Sequence, residues 1–477
     1  MQFVDGGPDV PDRLIQAHED GRVIFFCGAG ISYPAGLPGF KDLVLELYER
    51  MSVVQSPVQA TAIKRKQYDT AIDLLEHDVV GGRAMVRQHI AEILTPDPHR
   101  RRSSETHEAL LSLAKDPKGR RRLVTTNCDR LFEVARAVVV PQMQTYQAPQ
   151  LPVPKSSRWD GLVYLHGLLP EAAESDSWNR LVLSSGDFGL AYLTERWASR
   201  FVTELLRGYF TVCFVGYSID DPVLRYIMDA RAADRLLGES LPEVFAFGSF
   251  AKGRSVEVTN EWKAKNVTPI LYPEHRKHFY LHRTLRDWAV IHRDGILGKE
   301  SIIVRYAAAR PQGGAQEDFV RRVLWALADP SGVPARKFAT LDPVPPIEWL
   351  VPLSEPRFGH TDLVRFGLQP NSDVDQKLTF SLTRRPSPYT KSPWMALAGT
   401  SHGMAGPGPW DSVMEQLARW FIRHLDKPEA LAWVLDQGAC LHPFLLDLID
   451  DELKKGALPA ALSTIWQQFV SRRVTCG

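Results

Sequence analysis

The sequence has few cysteines, and their arrangement predicts neither a disulfide framework nor a metal site. The five cysteines are scattered, odd in number and form no C-x-x-C pair: Cys27, Cys128, Cys213, Cys440 and Cys476. Their number excludes a disulfide scaffold, and their spacing excludes a structural zinc ribbon. The first three lie in or beside apolar runs, which favours small buried residues at strand ends over reactive thiols.

Long hydrophobic runs and an excess of one charge are also missing. No apolar run approaches the roughly 18 residues of a membrane span, and the opening MQFVDGGPDVPDRL lacks the basic and apolar segments of a secretory signal. Lys and Arg total 57 against 56 for Asp and Glu, so the net charge is +1. Such neutrality argues against binding nucleic acid or membrane over the whole surface. We expect a cytoplasmic protein without direct nucleic-acid or membrane binding.

Short apolar runs are abundant in the first 300 of the 477 residues. Four runs each end in a polar or glycine-bearing turn, and two more follow: Val23–Cys27, Leu123–Thr125, Leu162–Leu165, Val212–Val215, Glu243–Phe247 and Val267–Leu271. Continuous apolar runs of this length fit strands of a parallel sheet that is buried on both faces. Because helical patterns such as 104–115 and 192–209 separate the runs, the sequence predicts a Rossmann-like, doubly wound α/β sheet. Ligands of such sheets bind at the carboxyl ends of the strands.

The pattern changes along the chain and predicts three domains. Residues 1–300 form the α/β domain, with a helical insertion at about 43–120. Residues 301–405 are rich in Pro and Gly and predict a mixed α/β linker or regulatory domain. Residues 406–477 have helical periodicity with Pro and Gly at the helix ends, which predicts a helical, solenoid-like region.

A glycine-rich turn follows the first predicted strand. Gly28-Ala29-Gly30 allows backbone N–H groups to approach an anion, and a following helix start favours negative charge there. The third glycine of the dinucleotide fingerprint is missing, since Tyr33 stands in its place. A tight turn between strand and loop explains the same residues equally well.

Three later strands also end in residues that carry chemistry. Asn127 and Asp129 follow the second strand and can point into one cleft, although Asp129 can equally be a helix N-cap in an Asx-type turn. His166 follows the third strand and is a candidate general base, or a hydrogen-bonded polar residue without a role in chemistry. The run Gly216–Pro222 follows the fourth and can hold ribose or phosphate, or simply start a helix at Pro222.

The joint order of these motifs resembles the sirtuin family over about residues 13–290. The order is GAGIS-x-x-AG-LP-x-F, then S-x-x-T-H-x-A-L, then TTN-x-D, then HG, then GYS-x-x-DP. GYSIDDP and a W-x-x-x-N-x-x-x-I-x-Y tail, formed by Trp262, Asn266, Ile270 and Tyr272, are similar to the bacterial NADase branch of antiphage defence. The four-cysteine zinc module of the deacylases is missing, and their P-D-F-R segment is Pro38-Gly39-Phe40-Lys41 here. Both departures argue against deacylation.

The resemblance implies NAD+ as substrate, no zinc, and roles for individual residues. Asn127 would orient the ribose and the attacking water, Asp129 would contact the nicotinamide carboxamide or its ribose, and His166 would accept a proton. The residues implied in holding the rest of NAD+ are Gly28, Ala29, Gly30, Ser32, Thr126, Gly216, Ser218 and Tyr272. Gly216 and Ser218 would line the adenosine side, and Tyr272 would form a wall for the adenine.

These expectations combine into one function and two alternatives. The main hypothesis is an NAD+ glycohydrolase that releases nicotinamide and ADP-ribose as a gated effector of antiphage defence by abortive infection. The resemblance implies control through the C-terminal region, by homo-oligomerisation or by a partner such as an ATPase, an Argonaute or a phage-derived trigger. The alternatives are a sirtuin-type protein deacylase or ADP-ribosyltransferase, and a non-catalytic subunit that senses NAD or ADP-ribose.

Overall fold

The chain divides into two compact units, residues 2–293 and residues 294–477 together with Met1. The structure, a computed structural model, describes residues 1–97, 103–148, 150–156, 158–171, 180–218, 227–228, 242–312, 317–329, 331–354, 412–436, 441 and 443–472. The boundary between the units falls inside the helical stretch Phe279–Tyr306, where Gly295 has non-helical backbone angles (φ 54°, ψ −122°).

A seven-stranded parallel sheet forms the centre of the first unit. Its strands are β1 Val23–Cys27, β2 Arg122–Thr125, β3 Thr145–Gln147, β4 Gly161–Tyr164, β5 Thr211–Val215, β6 Val244–Phe250 and β7 Thr268–Pro273. Their order across the sheet is β3-β4-β2-β1-β5-β6-β7, and every paired strand is parallel. The predicted Rossmann-like fold is therefore confirmed, and each of the six predicted strands is present within a few residues of its predicted bounds.

Burial explains which strands the sequence reveals. Every residue of β1, β2, β4 and β5 is buried, as continuous apolar runs predict for a sheet covered on both faces. The edge strand β3, by contrast, has the sequence TYQ and is partly exposed throughout. Three polar or amphipathic residues leave no apolar run, so the sequence does not reveal this strand.

Helices cover the sheet and form the predicted insertion. Those among the described residues of the first unit are α1 Asp12–Glu19, α2 Phe40–Arg50, α3 Pro57–Lys64, α4 Tyr68–Asp78, α5 Gly82–Ile93, α6 Glu105–Leu113, α7 Leu131–Val139, α8 Ser185–Phe188, α9 Trp197–Arg207 and α10 Ser255–Ala264. A 3₁₀ turn, Ala29–Ala35, follows β1, and a π-helical turn, Gly189–Thr194, follows α8. Helices α2 to α5 lie between β1 and β2 in the chain and share an apolar core around Val44, Leu47, Ile72 and Leu75.

The tail motif W-x-x-x-N-x-x-x-I-x-Y has a structural explanation. Trp262 lies on α10 and is almost fully buried in the core of the sheet. Asn266 ends that helix with a positive φ of 57°, a conformation that asparagine tolerates better than most residues. Ile270 and Tyr272 are buried on β7. The spacing therefore fits a helix that packs by its tryptophan, stops at an asparagine and leads into an inward-facing strand.

The regular elements described in the second unit are helices. After α11 Phe279–Tyr306 its helices are α12 Glu317–Leu327, α13 Val333–Thr340, α14 Leu350–Ser354, α15 Ser412–Ile422, α16 Pro428–Asp436, α17 Pro443–Lys454 and α18 Ala460–Arg472. The predicted helical C-terminal region is confirmed. Residues 355–405 of the predicted linker domain lie outside the described residues, so the division at 405 stays a prediction. No helix of the described chain is both long and apolar enough to cross a membrane.

A core substitution tests the burial of the sheet on both faces. Leu123 is fully buried in β2, between Phe25 of β1 and Leu162 of β4. Leu123→Ala should lower the free energy of unfolding by about 2–5 kcal/mol, because it removes buried methyl groups and leaves a cavity. The same substitution at Leu193, whose side chain is 69% exposed, should change it by no more than about 0.5 kcal/mol. Chemical unfolding would measure both, and equal losses would contradict a tightly packed sheet.

Candidate active site

The candidate site lies at the carboxyl edge of the sheet, where the strand order reverses. Strand β1 lies between β2 and β5, so the chain leaves β1 toward one side of the sheet and later returns on the other. Such a reversal separates the loops that follow adjacent strands and opens a crevice between them. The loops that follow β1, β2, β4 and β5 carry all the predicted site residues except Tyr272, which lies on β7.

The carbonyl oxygen of Cys27, the last residue of β1, holds two of these loops together. It accepts the backbone N–H of Thr126 at 3.0 Å and the hydroxyl of Tyr217 at 3.3 Å. The hydroxyls of Thr126 and Tyr217 are also 2.5 Å apart. The loops after β2 and β5 are therefore fixed to the end of β1 by backbone and side-chain hydrogen bonds.

A first cleft of about 690 Å³ collects six of the predicted residues. They are Ala29, Ser32, Thr126, Asn127, Asp129 and His166. Apolar side chains supply much of the remaining lining, among them Leu37, Phe40, Leu94, Val182 and Phe188. A concave site with a few converging polar groups on an apolar wall is the usual form of a small-molecule site.

Ser32 is the centre of a buried polar cluster in this cleft. Its hydroxyl donates to Asp129 Oδ2 at 2.9 Å and accepts the Asn127 Nδ2–H group at 3.1 Å. His107 Nε2 lies 3.3 Å from the same oxygen. Because the serine proton is given to the carboxylate, His107 Nε2 must be the protonated nitrogen. Its buried Nδ1 has no hydrogen-bond partner among the described residues.

Asp129 has both of the roles that the sequence left open. Its Oδ1 accepts the backbone N–H of Leu131 at 3.0 Å, which is the Asx-type turn at the start of α7. Its other oxygen accepts from Ser32, and the residue lines the cleft. Burial raises the pKa of Asp129 above the ordinary value for a carboxyl, and the hydrogen bonds from Leu131, Ser32 and Asn127 oppose that rise.

His166 is buried and neutral at physiological pH. Burial lowers the pKa of its imidazole to about 3, although the Asp187 carboxylate acts in the opposite direction. Its Nε2 lies 3.0 Å from the hydroxyl of Tyr192, and the ring of Phe188 packs edge-on against it at 5.3 Å. The glycine that follows has a positive φ of 85°, and a Cβ there would lie 2.7 Å from the Arg180 carbonyl oxygen. A side chain at the second position of the HG pair would therefore be strained and would clash with the backbone, which explains the glycine there.

A buried ion-pair cluster supports the segment that lies against His166. The guanidinium of Arg87, on α5, is fully buried and bonds to Glu76, to Asp187 and, at 3.0 Å, to the Leu181 carbonyl oxygen. Arg83 also pairs with Glu76 and Asp187. Burial alone would raise the pKa of Asp187, but Arg87 and neighbouring hydrogen-bond donors hold it below its ordinary value. The helical insertion is thereby joined electrostatically to the cleft wall.

A second cleft of about 670 Å³ lies on the other side of the glycine loop and collects Gly30, Gly216, Ser218 and Tyr272. The Tyr272 hydroxyl lies 3.0 Å from His278 Nδ1, and the rings of His278 and Tyr33 stack with centroids 5.3 Å apart. Burial raises the pKa of Tyr272. Ser218 is exposed at the rim. Residues 219–222, the remainder of GYSIDDP, lie outside the described residues.

The glycines of both loops permit close contact between their backbones. The N–H groups of Gly28 and Gly30 donate to the carbonyls of Val215 and Gly216, both at 2.9 Å. Gly216 has a positive φ of 77°, and a Cβ on it would lie 2.7 Å from the Ile31 nitrogen. These two N–H groups therefore join the loops in this structure, and the binding of an anion by the Gly28–Ser32 backbone stays a prediction.

The structure adds residues that sequence reasoning did not assign to the site. His107 belongs to the T-H-x-A-L motif, which is therefore the signal that could have placed it beside Ser32. Tyr217 directly follows the predicted Gly216 and could have been included on that ground. Tyr192 and Asp187 have no motif, and only the fold brings them to His166. Among the described residues, no group of three or more His, Cys, Asp or Glu side chains could hold a metal ion.

Comparison with known proteins supports the family to which the motifs point. Residues 121–270 match the family model of the SIR2-like domain. The match includes the loops after β2, β4 and β5, and it supports the sirtuin/SIR2-like superfamily, whose domains are generally NAD-dependent enzymes. The chain is also similar to the uncharacterized protein y4cA of Sinorhizobium fredii, at 34% identity over 271 residues. That match covers 56% of this chain and 22% of the relative, so the chain spans about a fifth of its length.

A matched pair of glycine substitutions tests the close packing of the two loops. Gly119 has a positive φ of 84° with open space around it, so Gly119→Ala should lose only the conformational term, about 1 kcal/mol. Gly216→Ala has comparable backbone strain and in addition forces the Ile31 and Gly28 backbones apart. Gly216→Ala should therefore lower the free energy of unfolding clearly more than Gly119→Ala does, as measured by chemical unfolding. Equal losses at the two positions would show that the loops have room to separate.

The buried histidines predict a loss of stability in mild acid. Four buried histidines each have a pKa that burial lowers to about 3, namely His18, His107, His166 and His282. Because the unfolded chain binds these protons near pH 6.5 and the folded chain does not, stability present above that pH is lost as the pH falls from about 6.5 toward 3. Each histidine contributes up to about 2 kcal/mol of loss between pH 6.5 and pH 5.

Unfolding midpoints at pH 7 and pH 5 measure this effect. His18→Gln should reduce the dependence on pH by removing one of the four groups. An unaltered protein that is equally stable at the two pH values would contradict the prediction.

Proposed function

We propose that the chain is an NAD+ glycohydrolase that cleaves the nicotinamide–ribose bond and releases nicotinamide and ADP-ribose. The observation that carries the proposal is the convergence of Asn127, Asp129 and the neutral His166 in one cleft at the strand-order reversal. The SIR2-like match supports NAD-related chemistry for the part of the chain that contains these three residues.

The chemistry of the bond fits the groups that line the first cleft. Nicotinamide leaves as a neutral molecule, so its departure requires little acid catalysis. The protein must instead orient the ribose, stabilise an oxocarbenium-like centre and place a water on the vacated face. The Asn127 amide can orient the water and a ribose hydroxyl, and the Asp129 carboxyl can contact the nicotinamide carboxamide or its ribose.

His166 suits the role of proton acceptor because it is not already protonated. Burial keeps the imidazole neutral at pH 7, so one ring nitrogen retains a lone pair that can take a proton from water or from a ribose hydroxyl. A protonated histidine at this position would be unable to act as a base. The low pKa means that the imidazolium formed during the reaction requires stabilisation, which the Asp187 carboxylate supplies in part.

The two clefts are suited to the two halves of a dinucleotide. The first has the candidate catalytic groups and an apolar wall fit for the nicotinamide riboside. The second has aromatic rings and a glycine-lined floor fit for the adenosine. The Gly28–Gly30 turn lies between them, which is where the pyrophosphate of an extended NAD+ would pass.

We further propose a biological role in antiphage defence by abortive infection, which the resemblance to the defence NADases supports. An enzyme that depletes NAD+ must be held inactive until needed, so we propose that the helical second unit controls it. That control would act through self-association or a partner such as an ATPase, an Argonaute or a phage-derived trigger. We accordingly expect low basal turnover from the isolated chain, and high turnover in dilute, partner-free solution would contradict this gating.

Product analysis after incubation with NAD+ tests the activity. Nicotinamide and ADP-ribose should appear in equal amounts, and His166→Ala and Asn127→Ala should each reduce their release by at least about 100-fold. Matched substitutions at exposed positions, His77→Ala on α4 and Asn260→Ala on α10, should leave the rate unchanged. Infected-cell lysate would be added in parallel, so that a gated enzyme is not mistaken for an inactive one.

Other outcomes of this assay would identify the alternatives. Binding of NAD+ without cleavage in either condition would indicate a sensing subunit. Consumption of NAD+ only with an acyl-lysine peptide, together with acylated ADP-ribose as product, would indicate a protein deacylase. Either result would overturn the glycohydrolase proposal.

A further inference from the structure

Tyr192 is the nearest polar partner that the structure gives to the imidazole of His166. Its hydroxyl lies 3.0 Å from His166 Nε2, in a region where both side chains are buried. The Tyr192 ring also stacks on Phe188 with centroids 5.9 Å apart, and Phe188 in turn packs edge-on against the imidazole. The imidazole is thus contacted by the Tyr192 hydroxyl and by the ring of Phe188.

The backbone that carries Tyr192 has an unusual conformation. Tyr192 lies on the π-helical turn Gly189–Thr194, which directly continues the short helix Ser185–Phe188. Isolated π-helical turns are rare and occur frequently at functional sites. The Tyr192 carbonyl accepts the Ser199 hydroxyl at 2.9 Å, which connects the turn to the next helix. The turn is therefore also anchored to the helix that follows it.

The chain just before this turn is fixed by Asp187. Its carboxylate accepts the backbone N–H groups of Leu183 and Ser184 at 3.0 and 2.9 Å and pairs with the buried Arg87. The backbone N–H of Val182, in the same segment, donates to the His166 carbonyl at 3.0 Å. The segment that presents Phe188 and Tyr192 is therefore tied both to the helical insertion and to His166 itself.

We propose that Tyr192 is a positioning residue for His166, an inference that rests on the proposed glycohydrolase function. A neutral imidazole has one N–H group and one lone pair, and a tyrosine hydroxyl can accept the N–H group. With Tyr192 accepting the Nε2–H group of His166, Nδ1 carries the lone pair that takes the proton. The same hydrogen bond fixes the rotation of the ring. The Tyr192 hydroxyl thereby determines where the proton-accepting lone pair of His166 points before the substrate binds.

The test is Tyr192→Phe, which keeps the ring and its stacking on Phe188 and removes only the hydroxyl. We expect kcat for NAD+ cleavage to fall by roughly 10- to 100-fold, because a misoriented base is less effective in the transition state. The KM for NAD+ should stay within about twofold, because the hydroxyl acts through His166 and not on substrate affinity. Imidazole ¹⁵N shifts of His166 should change from those of a single tautomer to those of a mixture.

Tyr48→Phe is the matched control. Tyr48 is also buried, and its hydroxyl donates to the Ala71 carbonyl at 3.0 Å inside the helical insertion. This variant removes an equivalent hydrogen bond from a residue that does not line the cleft, so it should show a comparable change in melting temperature with unchanged kcat and KM. The control separates loss of positioning from a general loss of stability.

Each remaining outcome decides against the proposal or against its premise. A Tyr192→Phe variant with unaltered kcat, or with raised kcat, overturns a positioning role. A rise in KM with unaltered kcat would show that the hydroxyl contributes to substrate binding instead. If the unaltered protein does not cleave NAD+ even with infected-cell lysate, the proposed function fails. The ¹⁵N shifts still decide whether Tyr192 fixes the tautomer of His166, because that measurement needs no turnover.

Discussion

The carbonyl oxygen at the end of β1 is the contact on which the candidate site depends. Cys27 accepts from Thr126 on one side and from Tyr217 on the other, at the point where the sheet reverses its order. These bonds fix the beginnings of two loops that come from strands on opposite sides of β1. Asn127 and Asp129 follow Thr126 on the first loop, and Gly216, which contacts Gly30, directly precedes Tyr217 on the second. A strand-end carbonyl thus joins a loop that lines the first cleft to one that lines the second.

The sequence predicts the sheet and much of the first cleft because both depend on local patterns. Apolar runs identify strands such as β1 and β5, and the polar residues directly after them must lie at one edge of a parallel sheet. Tyr192 and the Arg87–Asp187 pair could not be predicted, because their contacts do not depend on local patterns. Arg87 and Asp187 are separated by 100 residues in the chain, and neither belongs to a recognisable motif. Their partnership is set by how the insertion packs on the sheet, which composition and spacing do not encode.

Several motif residues have a structural and a chemical role together. Asp129 closes a turn with one oxygen and belongs to the polar cluster of the cleft with the other. The glycines of the first loop likewise permit the contact with Gly216, whether or not they also approach an anion. Interpretations that compete at the level of sequence are therefore compatible in the folded protein. For Asp129, a stability measurement and an activity measurement report on different oxygens of the same side chain.

The buried guanidinium of Arg87 has a consequence for anyone who would shorten this domain. The insertion between β1 and β2 contributes no strand to the sheet, so it is an obvious segment to delete. Removal of α5 would, however, leave the Asp187 carboxylate in an apolar wall without its cation, and an uncompensated buried charge typically costs several kcal/mol. A minimal version of the domain would need an uncharged residue in place of Asp187, chosen together with the deletion. The helical insertion and the cleft wall must therefore be altered together.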